Sequence, residues 1–275
     1  MKRTFLSKLH RNGLYCITGA LLLLVGVPLY QFLIFVLSGY GNALATPGLA
    51  LRWINAHIFL FLGYRVLLVA GFALMISLPF TLFRIIVAQE IFGREEDEQK
   101  EREEEGEQEE KHDETNEHQA DGMPAFAWRG KGYAVLAAWS GLIGLLFFVG
   151  GTLASSIYLV SSAASFPSHT TNLDNLAPLA GIFAIITFSV GGGLLALSCL
   201  LFGAVIARSG LNLWPGIWVA FGYMALGLFV FFSLSAVDVA LAPGAGQTLL
   251  STLAILFFTI WVLWFGIMLI RLKPE

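Results

Sequence analysis

Six runs of almost unbroken apolar residues, at 14–37, 66–87, 133–160, 179–206, 216–237 and 249–270, alternate with short polar turns along the chain. Each run is long enough to cross roughly 30 Å of hydrocarbon as an α-helix, which takes about 20 residues. Backbone N–H and C=O groups find no water inside a bilayer, so a helix, which satisfies them internally, is the expected form of each run. The pattern predicts an all-α, polytopic membrane protein of six transmembrane helices. Pro28 and Pro79 fall inside the first and second runs, where a missing N–H and a ring clash predict kinks. The apolar stretch at 49–64 is interrupted by Arg52, Asn55 and His57, so the second span is expected to begin at Val66, with Arg65 at its outer end.

The first run, preceded by Lys2, Arg3, Lys8 and Arg11, competes with a signal-peptide reading because Ala43-Leu44-Ala45 resembles a cleavage site. A signal core is only about 7–15 residues long, and retention of this longer run as a span is expected. The third run is rich in small residues, Gly141, Gly144, Gly150, Gly151, Ser155 and Ser156, at helical spacing that allows close helix approach in lipid. Gly191-Gly192-Gly193 lies inside the fourth run and reads as a packing or hinge feature.

Between the second and third runs the pattern changes completely: residues 90–121 hold 16 of the 19 acidic side chains. The densest part comprises Glu95, Glu96, Asp97, Glu98, Glu101, Glu103, Glu104 and Glu105. Such a segment has nothing to bury and stays in water, with Glu96–Lys100 and Glu98–Arg102 spaced for i,i+4 pairs. The chain therefore divides into residues 1–93 (an N-terminal segment and two spans), 94–127 (an acidic low-complexity loop) and 128–275 (four further spans).

Composition agrees with this picture, since 57% of the residues are hydrophobic. The formal net charge of −3 conceals a basic remainder, because the acidic block carries most of the negative charge. The basic residues lie mainly at the ends of apolar runs, where headgroups meet them, so the lipid bilayer and not nucleic acid is the expected partner. The amino terminus, Arg84, the acidic loop and its flank, Arg208 and the carboxyl tail hold 14 of the 16 Lys and Arg residues; Arg52 and Arg65 alone remain for the opposite face. The positive-inside rule then places both termini and the acidic loop in the cytoplasm, in a cell (inner) membrane. The three inward-running helices end in comparable apolar-plus-anchor stretches, 82–89, 201–208 and 264–271, as three consecutive hairpins would.

Candidate chemistry is sparse. No Asp, Glu, Lys or His lies near the middle of any run, and the chain has no HExxH, G-x-S-x-G or G-x-x-x-x-G-K-[ST] motif. No catalytic residue, cofactor or metal site is expected. His10, His57, His112, His118 and His169 have no ligand-like spacing, and Cys16 and Cys199 both fall inside apolar runs, where thiols behave as small hydrophobes. Arg65 and Asp238 are expected at one depth on the outer side, where an ion pair between them would set the register of two helices. The polar groups at depth are Gln31, Ser77, Thr81, Ser140, Thr152, Ser155, Thr187, Ser189 and Ser233; bonding to helix backbone is their expected role, a neutral solute path the alternative. The expected function is a non-enzymatic membrane component whose acidic loop docks a basic cytoplasmic or membrane protein. The competing reading is a passive channel or facilitator for a neutral small solute.

Overall fold

The computed structural model describes the backbone of residues 2–43, 46–89, 125–166, 173–242 and 248–272. The protein is an all-α polytopic membrane protein. Six helices are long and apolar enough to span a bilayer: Ser7–Phe35, Ile58–Gln89, Gly132–Ser165, Leu179–Gly210, Gly216–Leu241 and Leu249–Arg271. They are named here the first to sixth spans. A separate short helix, Pro47–Ala56, precedes the second span; Thr46 caps it by accepting a hydrogen bond from the Leu49 N–H at 3.3 Å, and Pro47 occupies its first turn.

Each span packs against its neighbour in sequence, and the sixth returns to pack against the first. His10 Nε2 lies 3.0 Å from the Leu272 carbonyl oxygen, which places the start of the first span beside the end of the sixth. The Asn12 amide donates to Thr81 Oγ1 at 2.8 Å near that same end, while at the other end Tyr30 donates to the Leu60 carbonyl at 2.8 Å. Neighbouring spans therefore run antiparallel. The hairpins are not separate units, since the fourth span packs on the fifth as extensively as on the third.

Helices in lipid gain nothing from expelling water from one another, so contact depends on close approach and dispersion. Glycines provide that approach at four interfaces. A Cβ built on Gly266 would lie 2.9 Å from the Gly13 carbonyl oxygen, between the sixth and first spans. On Gly19 it would lie 2.7 Å from the Gly71 carbonyl, between the first and second. On Gly144 it would lie 3.0 Å from the Gly191 carbonyl, and on Gly203 2.8 Å from the Gly222 carbonyl, at the third–fourth and fourth–fifth interfaces. Gly141 meets Ser198 and Pro79, and Gly151 meets Thr187, but Gly150 faces open space. Of the triple glycine in the fourth span, only Gly191 is tightly packed.

Buried residues from all six spans form one core, among them Cys16, Phe72, Phe148, Phe202, Phe221, Phe232, Phe258 and Trp261. Phe221 and Trp261 stack with centroids 4.5 Å apart, and the Trp261 indole N–H donates to the Phe221 carbonyl at 3.1 Å.

Both prolines disturb their spans as their chemistry requires. Leu22–Gly26 and Gln31–Phe35 are π-helical on either side of the turn containing Pro28. The second span is α-helical over Ile58–Leu74, breaks at residues 75–77, and resumes at 78–89 with Pro79 in its first turn. One boundary differs from expectation: the second span begins at Ile58 and not at Val66. Arg65 thus lies two turns inside the helix, because the apolar residues Ile58, Phe59, Leu60 and Phe61 continue the helix outward as far as the break at His57.

Candidate functional site

Polar and aromatic groups concentrate at the end opposite the termini. Here the Pro47–Ala56 helix buries Leu51, Trp53 and Ile54 and leaves Arg52 and Asn55 exposed. A second cluster joins these to Phe35, Phe61 and Ala163, with Tyr30, Tyr40, Tyr64, Tyr158 and Phe166 packed around them. The rings interlock: Phe35 lies 4.5 Å from Tyr40, 5.4 Å from Trp53 and 5.0 Å from Tyr64, centroid to centroid. The Trp53 indole N–H donates to the Ser38 carbonyl at 2.8 Å, and the Gln31 amide donates to the Tyr64 hydroxyl at 2.9 Å. The π-helical stretch Gln31–Phe35 spreads one turn over more residues, so Gln31 and Phe35 both reach the second span.

Arg65 projects into this cluster. Its guanidinium carbon sits 5.1 Å from the centroid of the buried Phe61 ring, one turn earlier in the helix, in cation–π geometry. Its Nε is buried with no hydrogen-bond partner. Tyr40, which lies beyond the end of the first span, is within electrostatic reach: burial pushes its phenol up, and the Arg65 charge opposes that rise. Arg52, on the short helix, makes a comparable contact 5.7 Å over Phe166.

The structure does not bring Arg65 and Asp238 together as an ion pair. The two belong to the second and fifth spans, and the second packs on the first and third while the fifth packs on the fourth and sixth. The shared depth that suggested the pair says nothing about position around the bundle. Asp238 is half-buried near the end of the fifth span, where its carbonyl accepts from the Ala242 N–H at 3.0 Å.

Among the hydroxyls at depth, several bond to backbone. Thr81 donates to the Ser77 carbonyl at 2.7 Å, Ser140 to Ala137 at 3.1 Å, and Ser155 to Thr152 at 3.0 Å. Thr187 is buried against Gly151, and Ser77 Oγ is buried without a partner at the break in the second span. Two further polar residues, which no motif or spacing singles out, link spans. Ser198 donates to the Ala137 carbonyl at 2.8 Å across the third–fourth interface, and Asn12 reaches Thr81. Nothing local distinguishes Ser198 from its neighbours, because its partner lies 61 positions away.

The acidic residues Glu95, Glu96, Asp97, Glu98, Glu101, Glu103, Glu104 and Glu105 lie outside the described residues, as do His112, His118 and His169. His57 stacks on Trp53 at 4.8 Å, and both cysteines are buried and unoxidised. Among the described residues no three His, Cys, Asp or Glu side chains come together as metal ligands would. On the flank of the bundle the third and fourth spans enclose an apolar groove of about 390 Å³, lined by Ile143, Leu146, Phe147, Gly150, Ala154 and Phe183 among others. Comparison of the chain with protein-family models, with curated proteins and with solved structures finds no match.

Proposed function

We propose that this chain is a non-catalytic integral membrane component whose six-span body positions the acidic loop to dock a basic partner protein. The observation that carries this reading is the contrast between the two parts of the chain. The body has one core to which all six spans contribute buried side chains, with aromatic rings from the second to the sixth, and several of its deep hydroxyls are engaged by helix backbone. A path for a neutral solute needs polar groups that face a lumen, and these hydroxyls are directed elsewhere. The loop instead concentrates 16 acidic residues within 32 positions. Beside an anionic leaflet such a loop is repelled into solution, where it attracts a basic surface over a Debye length of ~8 Å at physiological salt.

Replacing residues 95–117 with a neutral Gly/Ser linker should leave expression and membrane insertion nearly unchanged. It should also abolish salt-sensitive capture of a partner from gently solubilised membranes. Recovery of the same proteins by both forms, at low and at high salt, would eliminate the docking role, and solute flux from the purified protein in liposomes would favour the facilitator reading.

The reading includes an orientation, with both termini and the loop in the cytoplasm of a cell membrane, supported by the distribution of Lys and Arg. Single reporter cysteines at Ser168 and Gly244 are expected to react with an impermeant reagent in intact cells. One at Gly106 is expected to react only after permeabilisation. The opposite pattern would invert the topology.

A further inference from the structure

We propose that Arg65, with Tyr64 and Tyr40, forms a site for a phosphate oxyanion, supplied by a phospholipid headgroup at the membrane surface opposite the termini. The site is independent of the docking role proposed for the acidic loop, which belongs to the other end of the bundle.

Depth comes first. Arg65 and Arg84 belong to one span and stand nineteen positions apart, roughly 28 Å of helix at ~1.5 Å per residue. Even with the break at residues 75–77, that separation is comparable to a hydrocarbon layer of about 30 Å, which puts Arg65 close to the headgroups on the side opposite Arg84. The two arginines are not equivalent. Arg84 is exposed, whereas Arg65 is half-buried, lies over Phe61 and has a buried Nε without a hydrogen-bond partner.

Tyr64 accepts a hydrogen bond from Gln31, so its own O–H is left to donate. The Arg65 guanidinium offers only donors, and leaving its buried Nε without an acceptor is costly. Tyr40 lies in the same ring cluster, bridged to Tyr64 through Phe35, and its hydroxyl is a further donor. Asp238 belongs to the fifth span, whose main packing partners are the fourth and sixth. Both tyrosines are within electrostatic reach of the Arg65 charge, and a phosphate offers several oxygens that a guanidinium and neighbouring hydroxyls can share.

Gln31 is exposed on the lipid-facing side of the first span although its amide is bonded to Tyr64. The cluster therefore opens sideways at headgroup depth. The abundant acceptor there is the lipid phosphodiester, and arginine pairs with phosphate oxygens in fork geometry.

The test uses the full-length protein, purified in a mild detergent and examined by native mass spectrometry. It is titrated separately with phosphatidylglycerol, phosphatidylcholine, diacylglycerol and inorganic phosphate. The wild type is expected to retain both phospholipids over diacylglycerol, which shares their chains but lacks the phosphate. Arg65→Gln should weaken phospholipid retention about tenfold, the loss of one strong charge-assisted contact. Arg65→Lys and Tyr64→Phe should fall between the two, and Arg84→Gln should leave retention unchanged. Comparable thermal midpoints for Arg65→Lys and wild type separate loss of binding from loss of fold. Equal retention of diacylglycerol, or undiminished retention by Arg65→Gln, would overturn the proposal. Binding of inorganic phosphate in place of lipid would overturn the lipid headgroup as the source.

Discussion

Substituting Ala for Gly203 should destabilise the protein by about 1–3 kcal/mol, the usual cost of forcing a group into filled space. The added Cβ would lie 2.8 Å from the Gly222 carbonyl oxygen and 2.9 Å from Leu226 Cγ. A side-chain tip could rotate away, but a backbone carbonyl held in its own helix cannot. The fourth and fifth spans would have to separate along their length, with loss of dispersion contacts that lipid tails replace imperfectly. Gly150→Ala is the control, because a Cβ there meets nothing within 4 Å and alanine favours the helix. Thermal unfolding of the detergent-solubilised variants should rank Gly203→Ala well below both wild type and Gly150→Ala. Equal midpoints would mean that this interface is looser than the structure has it.

Truncating Trp261 to Ala should cost about 3–5 kcal/mol, the range for removing a large buried aromatic side chain. The ring is 1% exposed, stacks on Phe221 and touches Phe258 at 5.9 Å between centroids. Its removal leaves a void bordered by spans five and six, while the Phe221 carbonyl loses the indole N–H. Trp261→Phe separates the two effects: it keeps most of the stacking and forfeits the hydrogen bond, for about 1 kcal/mol. Chemical denaturation followed through the remaining tryptophans would measure both. A Trp261→Ala loss no larger than that of Trp261→Phe would show that the stack contributes little.

Six spans were legible because the bilayer imposes one requirement that composition alone can meet, a run of about 20 apolar residues with its hydrogen bonds closed internally. The disturbances around Pro28 and Pro79, π-helical stretches at the first and a break before the second, were legible for a similar reason, since proline disrupts a helix through its own covalent structure. Arg65 marks where this kind of reading stops. Its polar neighbours suggested a helix start, yet Ile58–Leu74 is continuous, because a single arginine near an interface costs less than ending a helix among lipid.

The sequence by itself determined the number of spans, their approximate ends and the concentration of acidic residues in one stretch between the second and third spans, since each is a property of a contiguous stretch. Only the tertiary structure decided which spans meet. It set Gly203 against Gly222 and Gly13 against Gly266, directed Ser198 to a carbonyl on another span, and kept Arg65 apart from Asp238. Depth in a membrane can be read by counting residues along one helix. Position around a bundle depends on rotation and packing against other helices, and no single run encodes those.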